Sequence, residues 1–247
     1  MFIPFSGGPI VINNSICEMK TSLNRLNPIP LFFFIGLLLA GCQTPIVNSL
    51  ATHDSKKWET EIKMLEASDR TNRPQAGCIV FVGSSSIKRW KTLAADFPDR
   101  AVFNRGFGGS QLADSVNFAN RIIIPYHPRE VVIYAGGNDI NAGKSPERVF
   151  GDFVALAQEI KGALPETKIA FISIAPNPSR WKEVEDVKAT NALIERYCHR
   201  HHLIFINVFP LMLGPNGQPR PDIFVSDGLH MNEKGYRIWR DAVRPYL

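Results

Sequence analysis

The sequence has no apolar run long enough to cross a bilayer as a mature helix; its longest is the ten residues Leu31 to Ala40, LFFFIGLLLA. Lysine and arginine never form a run longer than two, so the basic arm of a nucleic-acid-binding protein is missing and no nucleic-acid partner is expected. No repeat recurs at a period of roughly 20 to 50 residues, which excludes solenoids and propellers. What is present is ordinary globular composition: 247 residues, 45% hydrophobic, 21% charged and 10% aromatic, with 18 glycines and 18 prolines spread along the chain. Disordered and collagen-like readings fail on that basis. A net charge of +5 gives only a weak preference for anionic surfaces.

The ten-residue apolar run suits the core of a signal peptide. Leu39-Ala40-Gly41-Cys42 follows it at once and resembles the bacterial lipobox, in which the cysteine is lipidated and becomes the new N-terminus. Lys20 and Arg25 supply a positive flank, and Met19 to Gly41 spans 23 residues, inside the usual length of about 15 to 30. Met19 is therefore the preferred true start. Residues 1–41 are read as the signal region, 42–52 as a tether after lipidated Cys42, and 53–247 as one compact folded domain. The chain is expected to sit on a membrane through acyl chains without spanning it. Gln43, rather than Asp, after the cysteine favours the outer membrane by the same resemblance. Cys78 and Cys198 remain after processing and read as inert buried thiols.

Beyond the tether, Trp58, Ile62 and Leu65 recur at helical spacing among charged residues, which predicts an amphipathic helix. Short apolar runs then alternate with helical segments. Cys78–Val82, Ala101–Phe103, Val131–Ala135, Ile169–Ile174 and Leu203–Val208 read as strands that are apolar on both faces. Helices are expected near Ser86–Asp96, Gln111–Ile123, Pro146–Leu164, Lys182–His201 and Glu233–Val243. Strands of this kind, separated by crossover-length helices, predict an α/β protein: a three-layer α/β/α sandwich with a five-stranded parallel sheet.

Working sites in such sheets lie beyond the carboxyl ends of the strands. Gly83-Ser84-Ser85-Ser86, Asn104-Arg105-Gly106-Phe107-Gly108-Gly109, Gly136-Gly137-Asn138-Asp139 and Asp227-Gly228-Leu229-His230 all fall at that edge or just before the last helix. Acyl transfer needs a serine at a sharp turn, a histidine base, a carboxylate to orient it and donors for the oxyanion. Ser85 is the candidate nucleophile, with Ser84 and Ser86 as flanking alternatives. Asp227 and His230, three residues apart, can share one turn, the carboxylate fixing the tautomer of the ring. Asn138 through its amide, and Gly109 and Ser85 through their backbone N–H groups, are candidate oxyanion donors. Ile87 stands where the G-x-S-x-G elbow requires glycine, which disfavours an ordinary α/β-hydrolase.

These four segments, in this order, resemble the SGNH hydrolase superfamily, also called GDSL esterases and lipases. That resemblance implies a flavodoxin-like fold, a serine esterase acting through Ser85, Asp227 and His230, and an oxyanion hole of Ser85, Gly109 and Asn138. The chain departs from the family at Ser84, where Asp is usual, giving Gly-Ser-Ser. A noncatalytic envelope lipoprotein that binds a glycan or acyl chain in the same cleft is the alternative. The expected substrate is a small ester, such as an acetylated sugar or a lysolipid, with short acyl groups favoured. No metal or cofactor is required. The cluster Cys198, His199, His201 and His202 would diverge around a helix end rather than ligate a metal. Asn104, Arg105 and Asp139 are expected to brace the loops, and Trp90, Phe107 and Trp181 to pack in the core or line the cleft.

Overall fold

The computed structural model describes residues 53–247; the signal region, Cys42 and the tether lie outside the described residues. Five strands form one sheet: β1 (Ile79–Gly83), β2 (Val102–Gly106), β3 (Glu130–Tyr134), β4 (Lys168–Ile172) and β5 (Ile204–Ile206). All neighbours pair parallel, in the order β2-β1-β3-β4-β5. The principal helices are α1 (Glu59–Ser68), α2 (Ser85–Lys88), α3 (Leu93–Asp96), α4 (Leu112–Ile122), α5 (Gly137–Asn141), α6 (Pro146–Ala163), α7 (Val184–Arg200) and α8 (Glu233–Val243). Among the described residues, no helix is long and apolar enough to cross a membrane.

The strands are apolar on both faces because each face meets its own helical layer. Along β1, Val80 and Val82 join the core formed with Phe118 of α4, Phe153 of α6 and Ile194 of α7. Ile79 and Phe81 point the other way, toward Trp90, Leu93 and Trp239, as the two-residue side-chain period of a strand requires. Burying an aromatic such as Trp239 or Phe153 contributes on the order of 1.5–3 kcal/mol. Helix starts follow from local chemistry. Ser145 caps α6 with Pro146 in the first turn, the Asp114 carboxylate accepts from Gln111 N at the start of α4, and the Asn232 side chain accepts from Lys234 N and Gly235 N at α8. Cys78 and Cys198 are free and buried, and burial pushes the Cys198 thiol up to about 12.

Three elements differ from expectation. The helix expected over Ser86–Asp96 is two short pieces, α2 and α3. The Asn104 amide donates to the carbonyls of Ile87 and Trp90, and the Asp96 carboxylate gathers Trp90 Nε1 and Thr92 Oγ1, each at 2.7 Å. The Asn104 amide thus takes backbone carbonyls that a continuous helix would have used, and the Asp96 side chain ties the two pieces together. Strand β2 runs on to Gly106, past the expected end at Phe103, because Asn104 and Arg105 stay paired with β1. The helix α5, which carries Asn138, was not expected at all.

Candidate active site

The order β2-β1-β3 reverses the direction of winding between β1 and β3, so the loops leaving those strands diverge and open a crevice. Ser85 and Asn138 sit on either side of it. At the end of β1, Gly83 has φ +140°, and a Cβ there would lie 1.8 Å from the Tyr134 carbonyl oxygen; only glycine lets the chain turn so close to β3. Ser85 is then the first residue of α2, where a helix N-terminal N–H has no intrahelical acceptor. Ser84 precedes it as the cap position, but its side chain makes no capping bond.

The partner loop comes from the C-terminal end of the chain. Residues 223–232 fold back on themselves through the antiparallel bridge of Phe224 and Met231 and the bonds from Val225 N to His230 O at 2.9 Å and from Asn232 N to Ile223 O at 3.0 Å. At its tip, Asp227 Oδ1 accepts from the backbone N–H groups of Leu229 and His230, each at 2.8 Å. Asp227 Oδ2 lies 2.6 Å from His230 Nδ1, and His230 Nε2 lies 3.0 Å from Ser85 Oγ. With the Nδ1 proton held by the carboxylate, Nε2 is left as an acceptor for the serine hydroxyl. The His230 ring and these backbone donors hold the Asp227 carboxyl far below its ordinary range, so it stays ionised. The ring contacts Ser85, not the hydroxyl of either flanking serine; Ser86 instead accepts at its carbonyl from Tyr236 Oη at 2.9 Å.

Opposite Ser85, Asn138 Nδ2 donates to Ser110 O at 3.0 Å, which leaves its second amide hydrogen available. A Cβ on Gly109 would stand 3.7 Å from that nitrogen, so the Gly109 backbone and the Asn138 amide are neighbours. The orientation of the Asn138 amide depends on Arg180, which the sequence reading missed. Its Nη1 donates to Asn138 Oδ1 and to Gly137 O, each at 3.0 Å, and thereby decides which way the amide faces. The bracing expected of Asn104, Arg105 and Asp139 is present. Asn104 Oδ1 accepts from Gly106 N at 2.9 Å, and Arg105 pairs with Asp69 and donates to Tyr126 Oη. Buried Asp139 accepts from Leu112 N at 3.2 Å and from Lys144 Nζ at 2.9 Å, and the same ammonium reaches Asp152 at 2.6 Å.

The cleft beside Ser85 is walled by Ile174, Val187, Met212, Phe224, Met231 and Trp239 together with the polar Asn177, Arg180 and Glu183, and it encloses about 40 Å³. Trp90 and Phe107 are buried in the core, and neither they nor Trp181 line it. The Cys198 cluster falls apart as a ligand set: Cys198 is buried while His199, His201 and His202 are exposed, and among the described residues no group of three or more His, Cys, Asp or Glu is placed to hold a metal ion.

Comparison with known proteins agrees with this architecture. The model of the GDSL-like lipase/acylhydrolase family matches residues 76–238. A GDSL-like lipase from Bacteroides thetaiotaomicron has a similar structure, with TM-score 0.63 at 24% identity over 78% of this chain and 96% of that one. A lipase/acylhydrolase from Enterococcus faecalis gives 0.57 at 20% over 67% and 93%. A variant of an acetyl-xylooligosaccharide esterase from Geobacillus gives 0.57 at 14% over 69% and 94%. At these identities the likeness establishes a common fold. No curated protein sequence matches the chain.

Proposed function

The chain belongs to the GDSL-like lipase/acylhydrolase family and is an ester hydrolase; on that premise we propose that it cleaves short-chain carboxylic esters through an acyl-enzyme formed on Ser85. The observation that carries this reading is the continuous relay from Asp227 Oδ2 through His230 to Ser85 Oγ, with contacts of 2.6 and 3.0 Å. Ser85 Oγ attacks the ester carbonyl as His230 Nε2 takes its proton. Asp227 holds the ring and stabilises the imidazolium. Negative charge developing on the carbonyl oxygen is met by the N–H groups of Ser85 and Gly109 and by Asn138 Nδ2. His230 then protonates the leaving alcohol, and water, deprotonated by the same ring, releases the acid. The apolar side chains of the cleft, set among the polar groups of Asn177, Arg180 and Glu183, support a small acyl site. Its roughly 40 Å³ is a few times the 10–15 Å³ or so that admits one water, which favours acetyl-sized groups on a small alcohol such as a sugar.

Ser85→Ala is expected to abolish turnover of an activated acetyl ester and labelling by a fluorophosphonate, while Asn138→Ala retains labelling and loses on the order of a hundredfold in rate. Turnover that survives in the Ser85 variant rejects the assignment. We further propose that the protein is a lipid-anchored lipoprotein of the bacterial envelope, held at the outer membrane by acylated Cys42. The lipobox-like segment Leu39 to Cys42 supports this. Cys42→Ser should leave the precursor unprocessed or release the protein from membranes; acylation that persists in that variant refutes the anchor.

A further inference from the structure

Gly109 offers its N–H from a tight turn, Phe107 to Ser110, whose own closing bond is long, 3.4 Å from Ser110 N to Phe107 O. The turn is tied at its ends: Phe107 N donates to Gly83 O at 3.0 Å, and Ser110 Oγ donates to the same carbonyl at 3.2 Å. Its apex is two consecutive glycines, a pair with little intrinsic resistance to rotation of the peptide between them. The restraint comes instead from α1. Glu61 Oε2 accepts the Gly108 N–H at 2.8 Å. From the other side the Trp58 ring covers Gly108, which has φ +38° and whose hypothetical Cβ would lie 1.8 Å from Trp58 Cζ3. The indole N–H of Trp58 is buried with no acceptor among the described residues, so the ring serves by shape. Glu61 Oε2 also receives Lys88 Nζ at 2.8 Å, from the last turn of the helix that begins with Ser85.

We infer that Glu61 is a positioning residue for the oxyanion site: by holding the Gly108 N–H it anchors the Phe107–Gly108 peptide, and with the Trp58 ring packed on Gly108 it limits the rotation that would re-aim the next peptide, which carries the Gly109 N–H. The inference rests on the assignment of Ser85 and Gly109 made above. An acceptor that acts only through donor geometry affects the transition state and not the binding of the ground-state ester, so its loss lowers kcat and leaves KM alone. A misplacement of about 1 Å can cost on the order of a hundredfold, and one donor of three being loosened should cost about tenfold.

The test uses the full-length protein and p-nitrophenyl acetate. Glu61→Ala is expected to lower kcat about tenfold with KM within about twofold. Glu61→Gln keeps an oxygen for the Gly108 N–H while discharging the pair with Lys88, and it is expected to stay within about threefold of the parent, as is Lys88→Met. A kcat of Glu61→Ala within twofold of the parent overturns the inference, as does a Glu61→Gln enzyme as slow as Glu61→Ala. Independently of whether the alanine variant folds, hydrogen exchange in the unsubstituted protein should show the Gly108 amide protected at least about tenfold over that of Gly109; equal exchange overturns it. Ser85→Ala measured in parallel separates the two levels: turnover surviving there condemns the assignment of the nucleophile, whatever the Glu61 variants do.

Discussion

Glu130, the first residue of β3, is fully buried, and neither of its carboxyl oxygens has a hydrogen-bond partner among the described residues. Burial raises its pKa above the ordinary carboxylate value, against the opposing pull of Arg129 and Lys168. The folded state therefore holds this proton more tightly than the unfolded chain. As pH rises from the unfolded value near 4.5, the unfolded state ionises first and the fold loses stability, until the raised folded pKa is passed and the loss is complete. Glu130→Gln removes that dependence. It should raise Tm at pH 8 and leave it nearly unchanged at pH 4; equal shifts at both pH values contradict the account. Asp227 is the opposite case, its carboxyl depressed by His230 and two backbone donors, so whatever stability it adds persists above the unfolded carboxylate range and fades only in strong acid. Ser85, His230 and Asp227 were readable from sequence because each stands in a short segment whose neighbours announce a turn. Arg180 and Glu61 were not, since each acts on a backbone or amide group more than forty positions away and nothing beside them in the chain marks that reach.

Among the elements, α1 and the residues just before it bear on the site from outside the sheet. Asp114, fully buried in the first turn of α4, accepts from Ser55 Oγ at 2.7 Å and from Gln111 N at 2.8 Å, and lies 2.7 Å from His53 Nε2. One carboxylate thus caps α4 and latches the segment that leads into α1. Asp114→Ala removes the cap and strands the Ser55 hydroxyl, and should destabilise the fold by about 2 kcal/mol in urea unfolding, with faster amide exchange across residues 53–58. Unfolding at the parental urea midpoint contradicts the latch. The sequence showed α1 through its apolar spacing, but that pattern describes only the face turned inward. What the polar face does, gripping the Gly108 turn through Glu61, has no periodic signature. The break between α2 and α3 was hidden for a related reason: the residue that enforces it, Asn104, belongs to a strand.

At the scale of the whole molecule, the five continuous apolar runs fixed both the parallel sheet and its cover of helices, because only a strand buried on two faces reads that way. The depth of the cleft did not follow, since Ile174, Met212 and Trp239 reach it from loops and helices scattered over the second half of the chain. Their convergence predicts acyl selectivity. The kcat/KM for an acetyl ester should exceed that for an octanoyl ester of the same alcohol by at least about tenfold, and Met212→Ala should narrow the gap; equal rates across chain length contradict the small acyl site.

The hairpin of residues 223–232 stands apart from everything else that handles the ester. On the proposed reading, the nucleophile, the oxyanion donors and the arginine that turns the Asn138 amide all precede residue 181, whereas the proton acceptor stands in this later hairpin. A variant ending at residue 222 would keep Ser85, Gly109 and Asn138 but lack both Asp227 and His230, and on the proposed reading it should bind an ester without opening it.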